Sequence, residues 1–233
     1  MTVPQHLGHL LHLTDSTLPI GAYTHSNGLE TVIQQRRIND ASALERYVRD
    51  VMAYNVVHND AAYLSLAYDA IELNDLAAVV ALESQLHASK TAREGREASL
   101  KLGMRLLKIF SRYPEHRSSP IAQRYQTALV QQETLGMYPV VFALYAVIGG
   151  IPKADTLYAF YYNNISAMVT NGVKLIPLSQ MDGQDIVVKL RMDIDDWVEQ
   201  SMNPDNEWLG ASTVSFDIHA MQHERLYTRL YMS

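Results

Sequence analysis

The stretch Asp40-Ala41-Ser42-Ala43-Leu44-Glu45-Arg46-Tyr47-Val48-Arg49-Asp50-Val51-Met52 decides the fold class. Leu44, Tyr47, Val48, Val51 and Met52 fall at i, i+3, i+4, i+7 and i+8, which is one stripe of an α-helix. Asn39-Asp40 precedes it, and Ser42 and Glu45 have the spacing of a capping box at its start.

The same pattern recurs on both sides. Tyr63, Leu66, Ala67, Ala70 and Ile71 repeat the stripe after Asn59-Asp60, and Asn74-Asp75 breaks and recaps before Leu76, Val79, Val80 and Leu86. Thr91 and Glu94 have capping-box spacing and open a long helix with Leu100, Met104 and Leu107 on one side, ending before Pro114. Ser119-Pro120 is an N-cap followed by proline at the first helical position, where no N–H is needed. Tyr138–Ile148 is apolar all round, so it belongs at the centre of the fold. Ile151-Pro152 begins another helix, which Thr170-Asn171-Gly172 is expected to stop. Strand signals are few: Ile186-Val187-Val188 is β-branched but stands among helical neighbours. The pattern predicts an all-α, single-domain bundle of about ten helices joined by short capped turns.

Composition agrees with one unit. The chain has 233 residues and no Ser/Gly-rich run, Pro-rich tract, charge block or repeat to divide it, so residues 1–233 are expected to form one domain. A net charge of −6 gives no basic stripe for nucleic acid. With no cysteine there is no disulfide, thiolate metal site or thiol nucleophile. His6, His9 and His12 interrupt the apolar residues at the N-terminus, which therefore lacks a signal-peptide layout. The longest apolar run, Tyr138–Ile151, falls short of the roughly 20 residues that span a bilayer. A cytoplasmic protein without membrane insertion is expected.

Catalytic signatures are missing. The chain has no Gly-Lys-Ser/Thr phosphate loop, no Gly-x-Ser-x-Gly elbow and no His-Glu-x-x-His helix, so it is not itself a P-loop GTPase and no catalytic residue is assigned. His219 and His223 lie four apart on a helical stretch near Asp217; they are the best-spaced metal candidates, although two imidazoles and a distant carboxylate do not close a site. His6, His9 and His12 recur every third residue and drift around a helix, so they converge less well. The basic run Arg93, Arg96, Lys101, Arg105, Lys108 and Arg112 reads first as a solvated face partnered by Glu94 and Glu97, and second as a ridge for an acidic surface. Lys174, inside Val173–Leu178, is either a snorkelling side chain at a helix end or a partner contact. The tail Leu226–Ser233, with two tyrosines, leucines and a methionine, either docks on its own domain or awaits a partner.

A segment near the N-terminus breaks the helical pattern: Asp15-Ser16-Thr17-Leu18-Pro19-Ile20-Gly21-Ala22-Tyr23-Thr24-His25-Ser26-Asn27-Gly28-Leu29-Glu30. Pro19 and Gly21 specify a turn that is expected to present Tyr23 and His25. This segment resembles the Pro-x-Gly-x-aromatic-x-x-Ser-x-Gly-Leu-Glu signature of the UreF family of urease accessory proteins. Three further segments are similar to that family in the same order. They are His87–Gly103 through Arg93, Glu94, Arg96, Ser99 and Gly103; Val173–Gln180 with Gly183-Gln184; and Met221–Glu224 with Tyr227-Thr228-Arg229-Leu230. Ala22, Tyr138-Pro139, Ser179 and Met232 depart from the family pattern.

The resemblance implies an all-α accessory protein without turnover of its own, dimeric in complex. It would bridge UreD (also called UreH) and the GTPase UreG to deliver nickel to apo-urease, with nickel as cargo rather than cofactor. It also implies partner-binding roles for Tyr23, His25, Ser26, Glu30, Lys174, His223, Glu224, Tyr227, Arg229 and Leu230, with residues 225–233 as a docking tail. Within this reading Lys174 and Arg229 are candidates for a cation supplied to the partner GTPase. The alternative is a metallochaperone that carries nickel on its own histidines.

Overall fold

The structure is a computed structural model that describes residues 3–232. Among these residues the chain forms α1 (Gln5–Leu13), α2 (Leu29–Gln34), α3 (Ala41–Val51), α4 (Asp60–Glu72), α5 (Leu76–Ser89), α6 (Arg93–Phe110) and α7 (Pro114–Ser118). It continues through α8 (Pro120–Val130), α9 (Tyr138–Ile148), α10 (Lys153–Leu175), α11 (Gln180–Arg191), α12 (Ile194–Met202) and α13 (Val214–His223), and no described residue is in a strand. The fold is all-α as the periodicity predicts. Thirteen helices replace the expected ten or so partly because α2 and α7, with 6 and 5 residues, are too short to show a stripe.

The all-apolar α9 lies at the centre, packed on α4 and α6. Val140, Phe142, Ala143 and Ala146 are 0% exposed, as are Ala61, Leu64 and Ala67 of α4. Each such large side chain contributes about 1.5–3 kcal/mol by leaving water. Around this centre, α5 covers α4, and α10 carries α11 and α12 on the other side.

Several helix ends differ from expectation. The α3 cap is Asp40, whose carboxylate accepts from the Ala43 N–H at 2.8 Å, not the Ser42–Glu45 box. The helix begins two residues earlier, so Ser42 instead accepts from Arg46, and Glu45 pairs with Arg49 and Lys189. After Val51 the chain passes through one π turn, Met52–Val56, before α4.

The Thr91–Glu94 box does not form: Ala92 occupies the cap of α6 without a side-chain bond, and Glu94 turns toward the C-terminus. Met104 is 45% exposed, while the buried face runs through Ala98, Ser99, Gly103, Leu106, Leu107 and Phe110. That face is centred on Gly103, because a Cβ there would lie 2.1 Å from the Gly136 carbonyl oxygen. A count of apolar side chains overlooks a glycine at a contact.

Nor do Thr170-Asn171-Gly172 stop α10, which continues to Leu175. The Gly172 site faces the Leu44 side chain, and the Asn171 amide donates to the His25 carbonyl at 2.8 Å. Tertiary packing therefore overrides their breaking tendency. No helix among the described residues is long and apolar enough to cross a membrane.

Candidate functional site

The segment from Asp15 to Glu30 builds one wall of the site. Asp15 accepts from both the N–H and the hydroxyl of Thr17, at 2.8 Å each, closing the first turn. Gly21 adopts φ +84°, and a Cβ on it would meet Arg105 Nη1 at 2.5 Å; that guanidinium donates to the Ile20 carbonyl at 2.9 Å. Gly28 adopts φ +82°, and its missing Cβ leaves room for the α13 backbone, with Ala220 N only 3.0 Å from where that Cβ would stand. These two glycines let α6 and α13 close on the segment.

Glu30, in the first turn of α2, is 2% exposed. Its Oε1 accepts from the backbone N–H of Leu230 at 2.8 Å and from the Gln34 amide at 3.3 Å. Its Oε2 accepts from the Tyr231 N–H at 3.1 Å and from His223 Nε2 at 3.1 Å. The other nitrogen of His223, which is 0% exposed, lies 2.7 Å from Glu94 Oε2. Glu94 Oε1 in turn accepts from Arg229 at 2.8 Å.

Both ring nitrogens of His223 thus face carboxylate oxygens, one from α2 and one from α6. A salt bridge at 2.8 Å between Arg93 and Glu224 flanks this core, and the Arg93 hydrogen bond holds the Glu224 carboxyl below the usual range.

The chain end is secured beyond the clamp. Gln34 donates to the Thr228 carbonyl at 2.9 Å, and the Met232 N–H donates to the Thr24 carbonyl at 2.9 Å. Tyr231 is buried, with its hydroxyl 3.4 Å from the Asn171 carbonyl. The tail up to Met232 thus docks on its own domain; Ser233 lies outside the described residues.

Of the residues expected to bind partners, Glu30, His223, Glu224, Arg229 and Leu230 come together in this clamp. Tyr227 is 102% exposed and Leu230 65% exposed: their side chains face solvent, while the backbone at Thr228 and Leu230 is tied down. Tyr23 is half-buried in a short 3-10 turn, and burial raises its hydroxyl pKa. His25 is not presented: it is buried, which, with the nearby charges of Lys101 and Arg105, lowers its pKa to about 4. Ser26 is buried too, and its hydroxyl meets no partner among the described residues. Lys174 stands apart on the last turn of α10, exposed and without an ion pair to any described residue. Sequence reasoning gave Glu94 only a local role; its reach across the fold carries no local signal.

The histidines do not gather around an ion. His219 lies 3.4 Å from Arg37, and burial followed by that charge lowers its pKa, while both nitrogens of His223 face carboxylates. His6 approaches Asp155, His9 approaches the Tyr145 hydroxyl, and His12 sits edge-on to Phe110 and Tyr113. Among the described residues no group of three or more histidine or acidic side chains is arranged to hold a metal. Much of the basic run on α6 is engaged within the molecule: Arg93 with Glu224 and Glu97, Arg96 with backbone carbonyls, and Arg105 with Ile20.

Fold and site together define an all-α protein that displays its C-terminal segment on a buried polar clamp. A model of the UreF family matches residues 38–191. The chain is 56% identical over 227 residues to a protein of Actinobacillus pleuropneumoniae named urease accessory protein UreF, covering 97% of this chain and 99% of that one. A protein of the same name from Haemophilus influenzae (strain PittEE) is 56% identical over 97% of this chain and 95% of its own length. Another from Bacillus sp. (strain TB-90) is 34% identical over 96% and 97%. The chain belongs to the UreF family.

Proposed function

We propose that this protein is a non-catalytic accessory factor of urease maturation, an adaptor that bridges UreD/UreH and the GTPase UreG while nickel passes to apo-urease as cargo. Membership of the family supports this reading, together with its expectation of a cytoplasmic protein that is dimeric in complex. The observation that carries it is the C-terminal segment: its backbone is held by Glu30, while Tyr227, Leu230 and Met232 point their side chains into solvent. Exposed aromatic and aliphatic anchors on an ordered frame suit a protein interface, because little ordering entropy remains to be lost on binding.

The test is co-purification with cognate UreD/UreH and UreG. Tyr227→Ala and Leu230→Ala are better probes than truncation, since removing His223 and Arg229 would leave Glu30 and Glu94 as uncompensated buried charges. Capture of UreD/UreH by the wild type but not by these variants supports the adaptor, and undiminished capture by both removes the tail as the interface. Exposed Lys174 is the candidate for acting on the GTPase. Lys174→Ala should lower partner GTP hydrolysis or urease activation, and unchanged rates would exclude that role. The metallochaperone alternative requires Ni²⁺ binding tighter than isolated surface histidines provide, which calorimetry on the full chain measures.

A further inference from the structure

We propose that the cleft between α1, α7 and α9 is a binding site for a primary ammonium ion. The cleft shares no residue with the clamp that holds the tail, and the inference does not depend on the adaptor reading.

Its volume of about 410 Å³ lies within the range of small-molecule sites. His9 and His12 of α1 form one side, Tyr113 with Glu115 and His116 of α7 a second, and Tyr145 of α9 a third. One carboxylate, that of Glu115, lines the cleft and no lysine or arginine does, so it favours a cation over an anion.

Two acceptors there lack a donor. His116 is 3% exposed yet makes no side-chain hydrogen bond to a described residue. Burial lowers its pKa, so near neutral pH the ring is uncharged and keeps a lone pair. Glu115 is exposed and makes no ion pair with a described residue. A buried acceptor without a donor is costly, and a bound N–H would remove that cost.

The rings are fixed before any ligand arrives. Tyr145 stacks on Phe110, Tyr113 tilts against the same ring, and His12 sits edge-on to Phe110 and Tyr113. His9 Nδ1 lies 3.3 Å from the Tyr145 hydroxyl. Burial, then the nearness of Tyr113 and Glu115, raises that hydroxyl's pKa to about 12. The faces of the two tyrosines attract a cation. A primary ammonium carries both a positive charge and three N–H donors, so it suits the acceptors and the rings together. A quaternary ammonium suits only the rings. A metal ion finds no group of three histidine or acidic side chains arranged to hold it among the described residues.

Amide chemical shifts of the full-length protein, titrated with butylammonium at about pH 8, test this above the ordinary imidazole range. The His116 and Gly149 amides, both at the cleft, should shift and saturate with a dissociation constant of about 1 mM, while α11 amides stay still. Butanol, the neutral isostere, should give no saturable shift, and tetramethylammonium should bind about fivefold more weakly than butylammonium. Glu115→Gln alters an exposed side chain, so the protein should fold and bind butylammonium about tenfold more weakly. Tyr113→Leu should weaken it about threefold. Nα-acetyl-lysine methylamide offers the same ammonium on a side chain. Binding equal to that of butylammonium extends the site to a lysine of a partner, and its exclusion confines the site to free amines.

No saturable shift in the wild type would overturn the site. Equal binding of butanol or tetramethylammonium, or undiminished binding by Glu115→Gln, would overturn the assignment to a primary ammonium. The adaptor reading stands or falls separately, on capture of UreD/UreH.

Discussion

Glu83 and Glu30 are both carboxylates taken out of water, 0% and 2% exposed, and each holds irregular chain by its backbone amides. Glu83 of α5 gathers the loop between α8 and α9, accepting from the Leu135 and Met137 N–H groups at 2.8 and 2.6 Å and from the hydroxyls of Tyr125 and Thr134. Glu30 gathers residues 230 and 231 in the same way, but its remaining partners include a histidine shared with a second carboxylate. The loop held by Glu83 is continuous at both ends with packed helices, so it cannot leave without unfolding. The segment held by Glu30 follows α13 with no further helix among the described residues, and carries exposed Tyr227, Leu230 and Met232. One device fixes the core; the other fixes a surface that can be let go.

The largest effect separating the two should come from Glu83→Ala. It orphans two backbone donors and the Tyr125 hydroxyl in the core, and we expect a loss of about 4 kcal/mol in global stability by urea denaturation. A change near zero would mean that the loop finds other partners and that the comparison fails. Gly103→Ala probes the same region from the other side. Its Cβ would collide with the Gly136 carbonyl and the Met137 backbone, neither of which can swing aside, so a loss of about 3 kcal/mol is expected. Glu30→Ala should cost less globally, about 2 kcal/mol, yet open the tail selectively. Trypsin should then cut after Arg225 and Arg229 faster than in wild type while cleavage of the helices is unchanged. Equal acceleration everywhere would show that Glu30, too, belongs to the global core.

The helices were legible because burial of an apolar stripe is a local, periodic signal, and α3, α4, α6, α8 and α9 appear where the stripes and stops place them. What escaped were features set by partners distant in sequence. Gly172 reads as a stop until Leu44 packs on it, Gly103 reads as neutral until the Gly136 carbonyl touches it, and Glu94 reads as a cap until His223 and Arg229 reach it. Glu83 gave no sign at all, being one acid in a helix whose neighbours Val79 and Leu86 already account for its buried face. The clamp is half visible: Glu30, His223, Glu224, Arg229 and Leu230 are expected to touch partners and Glu94 is not, and sequence does not show that they meet one another.

His25 offers a pH test of intermediate size. Its pKa lies at about 4, below the ordinary histidine value near 6.5, because burial disfavours the charged ring and Lys101 and Arg105 add repulsion. The neutral folded form is thus favoured above the unfolded value. On acidification the unfolded chain takes up the proton first, and stability falls between about pH 6.5 and about pH 4. The wild type should lose stability through this window in urea denaturation, and His25→Gln should flatten the slope. An unchanged slope in the variant would assign the acid sensitivity elsewhere, with His116, likewise lowered by burial, as the next group to test.

The smallest effect on stability is expected at the residue with the largest proposed role. Tyr227 is 102% exposed and its side chain supports nothing in the fold, so Tyr227→Ala should leave the urea midpoint within about 0.5 kcal/mol of wild type. The hydrogen-exchange protection of the Leu230 and Tyr231 amides should also persist, because the clamp grips backbone three and four residues further on. Glu30→Ala and Tyr227→Ala therefore separate frame from anchor. The first should release the segment and weaken UreD/UreH capture through lost order, and the second should keep the order and weaken capture through lost contact. If Tyr227→Ala also released the segment, the frame and the anchor would be one structure, and the division between the Glu83 loop and the Glu30 tail would have to be drawn elsewhere.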